Sequence, residues 1–204
     1  MKAFATYSDL LRLGRETDST RLLKEASTKE GKTVFLSHSS ADNDLVPGAI
    51  SVLEGHGGRV YVDKKDPALK ELEMVDIANR LRSAVRGCRK FVLPVTPRSN
   101  GSKWIPWELG LGDGANRDVN VALFPSAETL FEQQWSEQEY LGLYQRIIWG
   151  DLIGEPKGQW LVLDHRKNTA NKFQCRHNSP VIRDFRSGFP KETRGVCENE
   201  FKTF

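Results

Sequence analysis

The stretch that decides the fold is Lys90-Phe91-Val92-Leu93-Pro94-Val95, followed shortly by Ser102-Lys103-Trp104-Ile105-Pro106-Trp107-Glu108-Leu109. An apolar run of strand length that leads through a polar turn into a helical pattern predicts one βα unit. In a helix, the i, i+4 spacing places Trp104 and Glu108 on one face. A carboxylate beside an aromatic ring, after the carboxyl end of a strand, lies where open α/β sheets bind their ligands.

Length and composition indicate one globular domain with appendages. The 204 residues are enough for a single sizeable core, and the 38% hydrophobic and 28% charged fractions are ordinary. No apolar run reaches the roughly 18 residues of a membrane span, and no signal peptide is evident, so we expect a cytoplasmic protein. Three widely spaced cysteines, Cys88, Cys175 and Cys197, favour a reducing compartment. Cys175 and His177 lack a second close pair, so no metal site is predicted.

The net charge of +3 is unevenly distributed and accompanies a predicted division of the chain. Residues 1–32 carry +2 and form a predicted helical arm, with Gly14 as a candidate break. Residues 33–165 carry −4 and form the central domain, whereas residues 166–204 carry +5 and form a basic C-terminal extension. A basic extension can contact nucleic acid, but without a nucleic-acid-binding motif we favour a solvated or partly packed segment.

Strand and helix patterns alternate through the central domain. Five short apolar runs are predicted strands, at residues 33–37, 59–62, 90–96, 119–124 and 160–163. One intervening helix should start at Asp42 or Asp44 as N-cap and accept Pro47 in its first turn. Others are predicted over residues 71–85 and, as an acidic helix, around residues 127–147. This alternation predicts a parallel sheet with helices on both faces.

Three motifs follow one another in the order expected of a TIR (Toll/interleukin-1 receptor) domain. They are Val34-Phe35-Leu36-Ser37-His38-Ser39-Ser40-Ala41-Asp42, a second strand ending in an acidic residue, and Ser102-Lys103-Trp104 through Glu108-Leu109. Residues 33–165 therefore resemble bacterial TIR domains that consume NAD, such as those of Thoeris-like antiphage defence. The resemblance implies a flavodoxin-like α/β fold whose five-stranded parallel sheet has the strand order 2-1-3-4-5.

The same resemblance implies an enzyme that breaks the nicotinamide-ribose bond of NAD, with Glu108 as the catalytic residue. Departure of neutral nicotinamide leaves an oxocarbenium-like ribose, whose positive charge a nearby carboxylate stabilises. The leaving ring nitrogen of NAD is already cationic, so no second carboxylate is needed to protonate it. NAD is then the substrate, and no cofactor is expected. The alternative for Glu108 is a first-turn carboxylate that complements the helix dipole.

Substrate contacts are also implied for an aromatic ring and two loops. Trp104 would form a wall against a flat part of the ligand, with core packing as the alternative, whereas Trp107 is predicted to lie in the core. The loop residues are Ser37, His38, Ser39 and Ser40 after the first strand, and Lys64 and Lys65 after the second. Helix capping by the serines and a solvated loop at the lysines are the alternatives here.

The implied partners are NAD, other copies of the chain through TIR-TIR contacts, and a separate effector that responds to a nucleotide product. Hydrolysis and cyclisation share the first step and differ only in the nucleophile, which the sequence does not place. Two other functions stay open. One is a non-catalytic TIR interaction module, and the other is an enzyme resembling nucleoside deoxyribosyltransferases, which share this glycosidic chemistry on a related sheet.

Overall fold

Short β-branched and aromatic runs form strands, and stretches with apolar residues at helical spacing form helices. The computed structural model describes residues 4–27, 30–63, 73–99, 102, 104–116, 121–129, 142–151, 158–164 and 169–172. The strands described are β1 (Ala5–Thr6), β2 (Val34–Leu36), β3 (Val60–Tyr61), β4 (Lys90–Val95), β5 (Val121–Ala127), β6 (Gln145–Gly150), β7 (Gln159–Asp164) and β8 (Thr169–Lys172). The helices described are α1 (Tyr7–Glu16), α2 (Ser19–Ala26), α3 (Val46–Gly55), α4 (Met74–Gly87) and α5 (Trp104–Asn116). Of these helices, none is long and apolar enough to span a membrane.

The strands form one sheet in the order β3-β2-β4-β5-β6-β7-β8, and β1 pairs with β5. The five strands β3, β2, β4, β5 and β6 run parallel to one another. Strand β7 pairs antiparallel with β6, and β8 pairs antiparallel with β7. When these five parallel strands are counted along the chain from β2, their order in the sheet is 2-1-3-4-5. The predicted fold class, a flavodoxin-like α/β sheet, is confirmed.

The identity of the fifth parallel strand differs from the prediction, and the described sheet has more than five strands. The run at residues 160–163 belongs to β7, which pairs antiparallel with β6. Strand β6 itself begins inside the stretch 127–147 that was predicted to be an acidic helix. Its Ile147-Ile148-Trp149 run favours a strand, but the preceding acidic residues obscured the change of pattern. Residues 130–141 lie outside the described part of the chain.

Side chains of the strands alternate between two apolar clusters, one on each face of the sheet. On β2, Val34 and Leu36 face the cluster that contains α1, α2 and α3. Phe35 faces the other cluster, which contains α4 and α5, and stacks on Phe91 with ring centroids 5.5 Å apart. Helices therefore cover both faces, as predicted.

The N-terminal helices pack into the first cluster. Helix α1 crosses α3 so closely that a Cβ atom at Gly48 would lie 2.1 Å from the carbonyl oxygen of Leu10. Because α1 covers α3 on the side away from the sheet, α3 is buried on both sides. This burial accounts for its apolar Val46 and Val52, since a helix with apolar residues all round is a buried helix.

The break in the N-terminal arm lies three residues after the predicted one. Helix α1 continues through Gly14, whose missing side chain makes room for Pro47: a Cβ atom there would lie 3.1 Å from the Pro47 Cβ. The chain turns at Thr17 and Asp18, because the Asp18 carboxylate accepts a hydrogen bond from the Arg21 backbone N–H and caps α2. The prediction of a break at Gly14 is therefore wrong.

Candidate active site

The carboxyl ends of β2 and β4 bring the two motif-bearing loops together. Ser37 extends the ladder of β2 by donating its backbone N–H to the Val92 carbonyl at 3.0 Å. After β4, the 3₁₀ turn Pro97–Ser99 leads towards α5. Since β2 and β4 are parallel neighbours, the residues that follow them meet at one edge of the sheet.

Glu108 and Ser37 are in direct contact at this edge. Glu108 lies in α5 and is only 2% exposed, and its Oε2 accepts a hydrogen bond from the Ser37 hydroxyl, which is fully buried. A hydrogen bond to a carboxylate is stronger than one between neutral groups. Away from water, a negative charge also acts more strongly on a nearby positive charge. The arrangement can therefore hold and stabilise a cationic group that forms beside Glu108.

Other residues of the loop after β2 are held within that loop. His38 is buried, and its Nε2 lies 3.0 Å from Asn43 Oδ1. Ser39 Oγ accepts a hydrogen bond from the Ala41 backbone N–H at 3.3 Å, which is the capping role that the sequence left open. Ser40 is exposed. The structure thus brings Ser37 to Glu108 and binds His38 and Ser39 to their own loop.

Trp104 lies at the start of α5, one turn before Glu108. Its side chain is 38% exposed, and its ring meets that of Trp107 edge to face, with centroids 5.5 Å apart and an angle of 83° between the ring planes. Trp107 packs partly against the second cluster, as predicted, and the guanidinium of Arg82 lies 5.7 Å from its ring centroid. Lys64 and Lys65 lie outside the described residues.

Asp42 and Asp44 join the two loops and do not cap α3. The helix begins at Val46 without a side-chain cap, so the predicted N-cap at either aspartate is wrong. Instead, Asp42 Oδ1 accepts a hydrogen bond of 2.8 Å from the buried Thr96 hydroxyl, and Asp44 Oδ2 lies 3.1 Å from Arg98 Nη1. Both carboxylates therefore form tertiary contacts, which are stronger local constraints here than the capping preference.

Arg98 makes a second contact, with the N-terminal segment. Its guanidinium lies 4.3 Å from the ring centroid of Tyr7. Partial burial works to lower the pKa of Arg98, but the hydrogen bond and charge of Asp44 outweigh it, and the net pKa is raised. Sequence reasoning missed these contacts because they join distant residues: Asp42 and Thr96, like Asp44 and Arg98, are 54 positions apart, and Tyr7 is farther still from Arg98. The one local signal is the polar turn Thr96-Pro97-Arg98-Ser99 directly after a buried strand.

Fold and site together define a class: a flavodoxin-like α/β protein with a buried carboxylate on the helix after its central strand. The chain belongs to the TIR domain family, whose model matches residues 34–159. It is also 32% identical over 131 residues to a probable 3' cyclic ADP-D-ribose synthase, ThsB', of Bacillus cereus (strain MSX-D12). That alignment covers 63% of this chain and 67% of the relative. The predicted TIR family is therefore confirmed.

Proposed function

We propose that this TIR protein cleaves the bond between nicotinamide and ribose in NAD and closes the remaining ADP-ribose into a cyclic product. The observation that carries the proposal is the buried Glu108 carboxylate, held by the Ser37 hydroxyl where β2 and β4 end. The similarity to a probable cyclic ADP-D-ribose synthase supports both the substrate and the cyclic product.

The first step needs a carboxylate and little else. The C1'–N bond of the nicotinamide riboside breaks, and its electron pair leaves with the ring nitrogen, which changes from cationic to neutral. Positive charge then develops on the ribose, and the Glu108 carboxylate stabilises this charge. Glu108 is only 2% exposed, so little water screens the interaction. Ser37 fixes one oxygen of the carboxylate, so the charge is oriented before the substrate binds.

Ring closure follows when a nucleophile within the same molecule attacks the ribose carbon. A hydroxyl of the adenosine ribose forms the new C–O bond and releases its proton to solvent, and the product contains no added water. Hydrolysis would instead add one water, so the two products differ in mass by that water. The similarity to the cyclic ADP-D-ribose synthase supports closure over hydrolysis.

Trp104 is proposed to form the wall against which the nicotinamide ring lies, since it is the exposed aromatic ring one turn before Glu108. Ser37 acts on the carboxylate, and His38, Ser39 and Ser40 are proposed to border the ribose. Lys64 and Lys65 are proposed to meet the pyrophosphate, as cations after the second parallel strand can do.

The wider role that we propose is signalling in antiphage defence within the cytoplasm. Copies of the chain would associate through TIR-TIR contacts, and a separate effector would respond to the cyclic nucleotide. NAD is the substrate in this proposal, and the chemistry uses no further cofactor or metal.

Incubation of the purified chain with NAD at high protein concentration tests the proposal, with products separated by chromatography and identified by mass. We expect nicotinamide together with a product that has the mass of ADP-ribose less one water. A product with the mass of ADP-ribose would retain cleavage and reject cyclisation. Untouched NAD would favour the interaction module, whereas cleavage of deoxynucleosides with NAD untouched would favour a deoxyribosyltransferase.

A further inference from the structure

The N-terminal segment, residues 4–7, reaches the reactive edge of the sheet although it lies outside the stretch that matches the TIR family. Strand β1 pairs with the last residues of β5, Ala5 with Ser126 and Thr6 with Ala127. In a parallel sheet, the carboxyl end of β5 lies on the same side as that of its neighbour β4. The segment is thus fixed beside the loop that precedes α5.

The start of α1 fixes the position of Tyr7. Thr6 and Asp9 form a reciprocal capping box: the Asp9 backbone N–H donates to Thr6 Oγ1 at 3.2 Å, and the Thr6 backbone N–H donates to Asp9 Oδ2 at 3.0 Å. Tyr7, the first residue of the helix, is 6% exposed and presents its ring to Arg98 at 4.3 Å. The sheet pairing before Tyr7 and the capping box around it therefore fix the backbone from which the ring projects.

Arg98 also connects the two loops of the site, because it contacts one of them and belongs to the other. Its Nη1 lies 3.2 Å from Asp44 Oδ1 and 3.1 Å from Oδ2, and Asp44 belongs to the loop that starts at Ser37. Arg98 itself lies in the turn that leads to α5, where the Ser102 backbone N–H donates to the Ser99 carbonyl at 3.0 Å. The side chain therefore bridges the N-terminal segment, the Ser37 loop and the approach to Glu108.

We propose that Arg98 is a positioning residue that couples the N-terminal segment to the Ser37–Glu108 contact. The proposal rests on the proposed function, because positioning has a catalytic consequence only if Glu108 acts on NAD. The buried Asp42–Thr96 hydrogen bond joins the loops independently, so loss of Arg98 should shift their alignment without unfolding them. Because the ion pair and ring contact are partly exposed, we expect effects of about three- to tenfold.

Steady-state NAD cleavage by five variants of the full chain tests the coupling. Arg98→Met and Tyr7→Leu should each lower kcat about three- to tenfold with little change in KM, since both remove the same bridge. The double variant should lose no more than the larger single loss, because the two residues act through one another. Tyr7→Phe keeps the ring and should retain the wild-type kcat. A Leu10→Val control removes a methylene group from the buried cluster shared by α1 and α3, and should lower Tm with kcat unchanged.

Amide hydrogen exchange gives a readout that does not depend on catalysis. Arg98→Met and Tyr7→Leu should speed exchange at Ala41, Asp42 and Leu45, whose N–H groups hold the Ser37 loop. Unchanged exchange, additive losses of kcat, or losses matched by Leu10→Val would overturn the coupling. If wild type leaves NAD intact, the proposed function fails, and the exchange comparison alone then decides whether Arg98 positions the loop.

Discussion

At Glu108, the hydroxyl of Ser37 helps to direct the negative charge. Ser37 donates to Oε2 from the end of β2, where its backbone is fixed by the hydrogen bond to Val92. The hydroxyl therefore has little freedom, and it orients the carboxylate in the free protein. Fixed dipoles of this kind need no reorganisation when charge develops in the transition state.

Ser37→Ala should lower kcat for NAD cleavage about tenfold with a smaller change in KM, because it removes a donor to the reacting carboxylate. Stability should also fall by about 1–2 kcal/mol, since a buried carboxylate loses a partner. Steady-state kinetics and thermal melting measure the two effects. Ser51→Ala, on α3, is the matched control and should keep the wild-type kcat. Equal kcat in Ser37→Ala would mean that the hydroxyl has no role in orienting Glu108.

The ring of Trp104 is supported from one side by Trp107, and Trp107 by Arg82. Trp107→Leu should therefore raise KM for NAD about three- to fivefold while kcat changes little, because an edge-to-face pair contributes about 1 kcal/mol. Arg82→Met should have a smaller effect in the same direction, since it acts through Trp107. Arg86→Met, in the same helix and exposed, is the control. An unchanged KM in Trp107→Leu would show that Trp104 needs no such support.

Among the elements, local pattern predicted the positions of β2, β4 and α5, because β2 and β4 are short apolar runs with polar boundaries and α5 follows β4 with Trp104 and Glu108 at helical spacing. Pro47 was correctly predicted in the first turn of α3. The start of that helix was not, because the Asp42 carboxylate binds Thr96, a partner far away in sequence. Helix capping is predicted from residues that are adjacent in sequence, whereas the Asp42–Thr96 hydrogen bond depends on which strands are adjacent in the sheet.

The contact between α1 and α3 depends on a residue without a side chain. Gly48→Ala should lower the free energy of unfolding by about 1–3 kcal/mol, because the new methyl group would collide with the backbone of Leu10 and push α1 away. Gly55→Ala, in the same helix, meets nothing within 4 Å and should be neutral or slightly stabilising. Chemical denaturation of both variants measures the difference. A neutral Gly48→Ala would contradict the close packing of the two helices.

For the whole molecule, the alternation of strands and helices predicted a parallel sheet covered on both faces, and the resemblance to TIR domains predicted its strand order. The pattern did not predict β6 or β8, because β6 follows an acidic stretch that is typical of a helix, and the run that forms β7 was predicted as the fifth parallel strand although it pairs antiparallel with β6. Nor did it place the N-terminal helices, although the buried outer side of α3 required a cover. The sequence predicted only that Ser37 and Glu108 lie at the same edge of the sheet. Their hydrogen bond joins residues 71 positions apart and can be identified only in the assembled fold.

The dependence of NAD cleavage on Glu108 is tested most directly by the rate of nicotinamide release from NAD. Purified wild type is compared with Glu108→Gln, which keeps the shape of the side chain and an acceptor for Ser37, and with Asp113→Asn in the same helix. We predict that Glu108→Gln slows release by at least about a hundredfold at unchanged Tm, whereas Asp113→Asn keeps the wild-type rate. Release by Glu108→Gln at the wild-type rate would contradict the proposed role of the carboxylate.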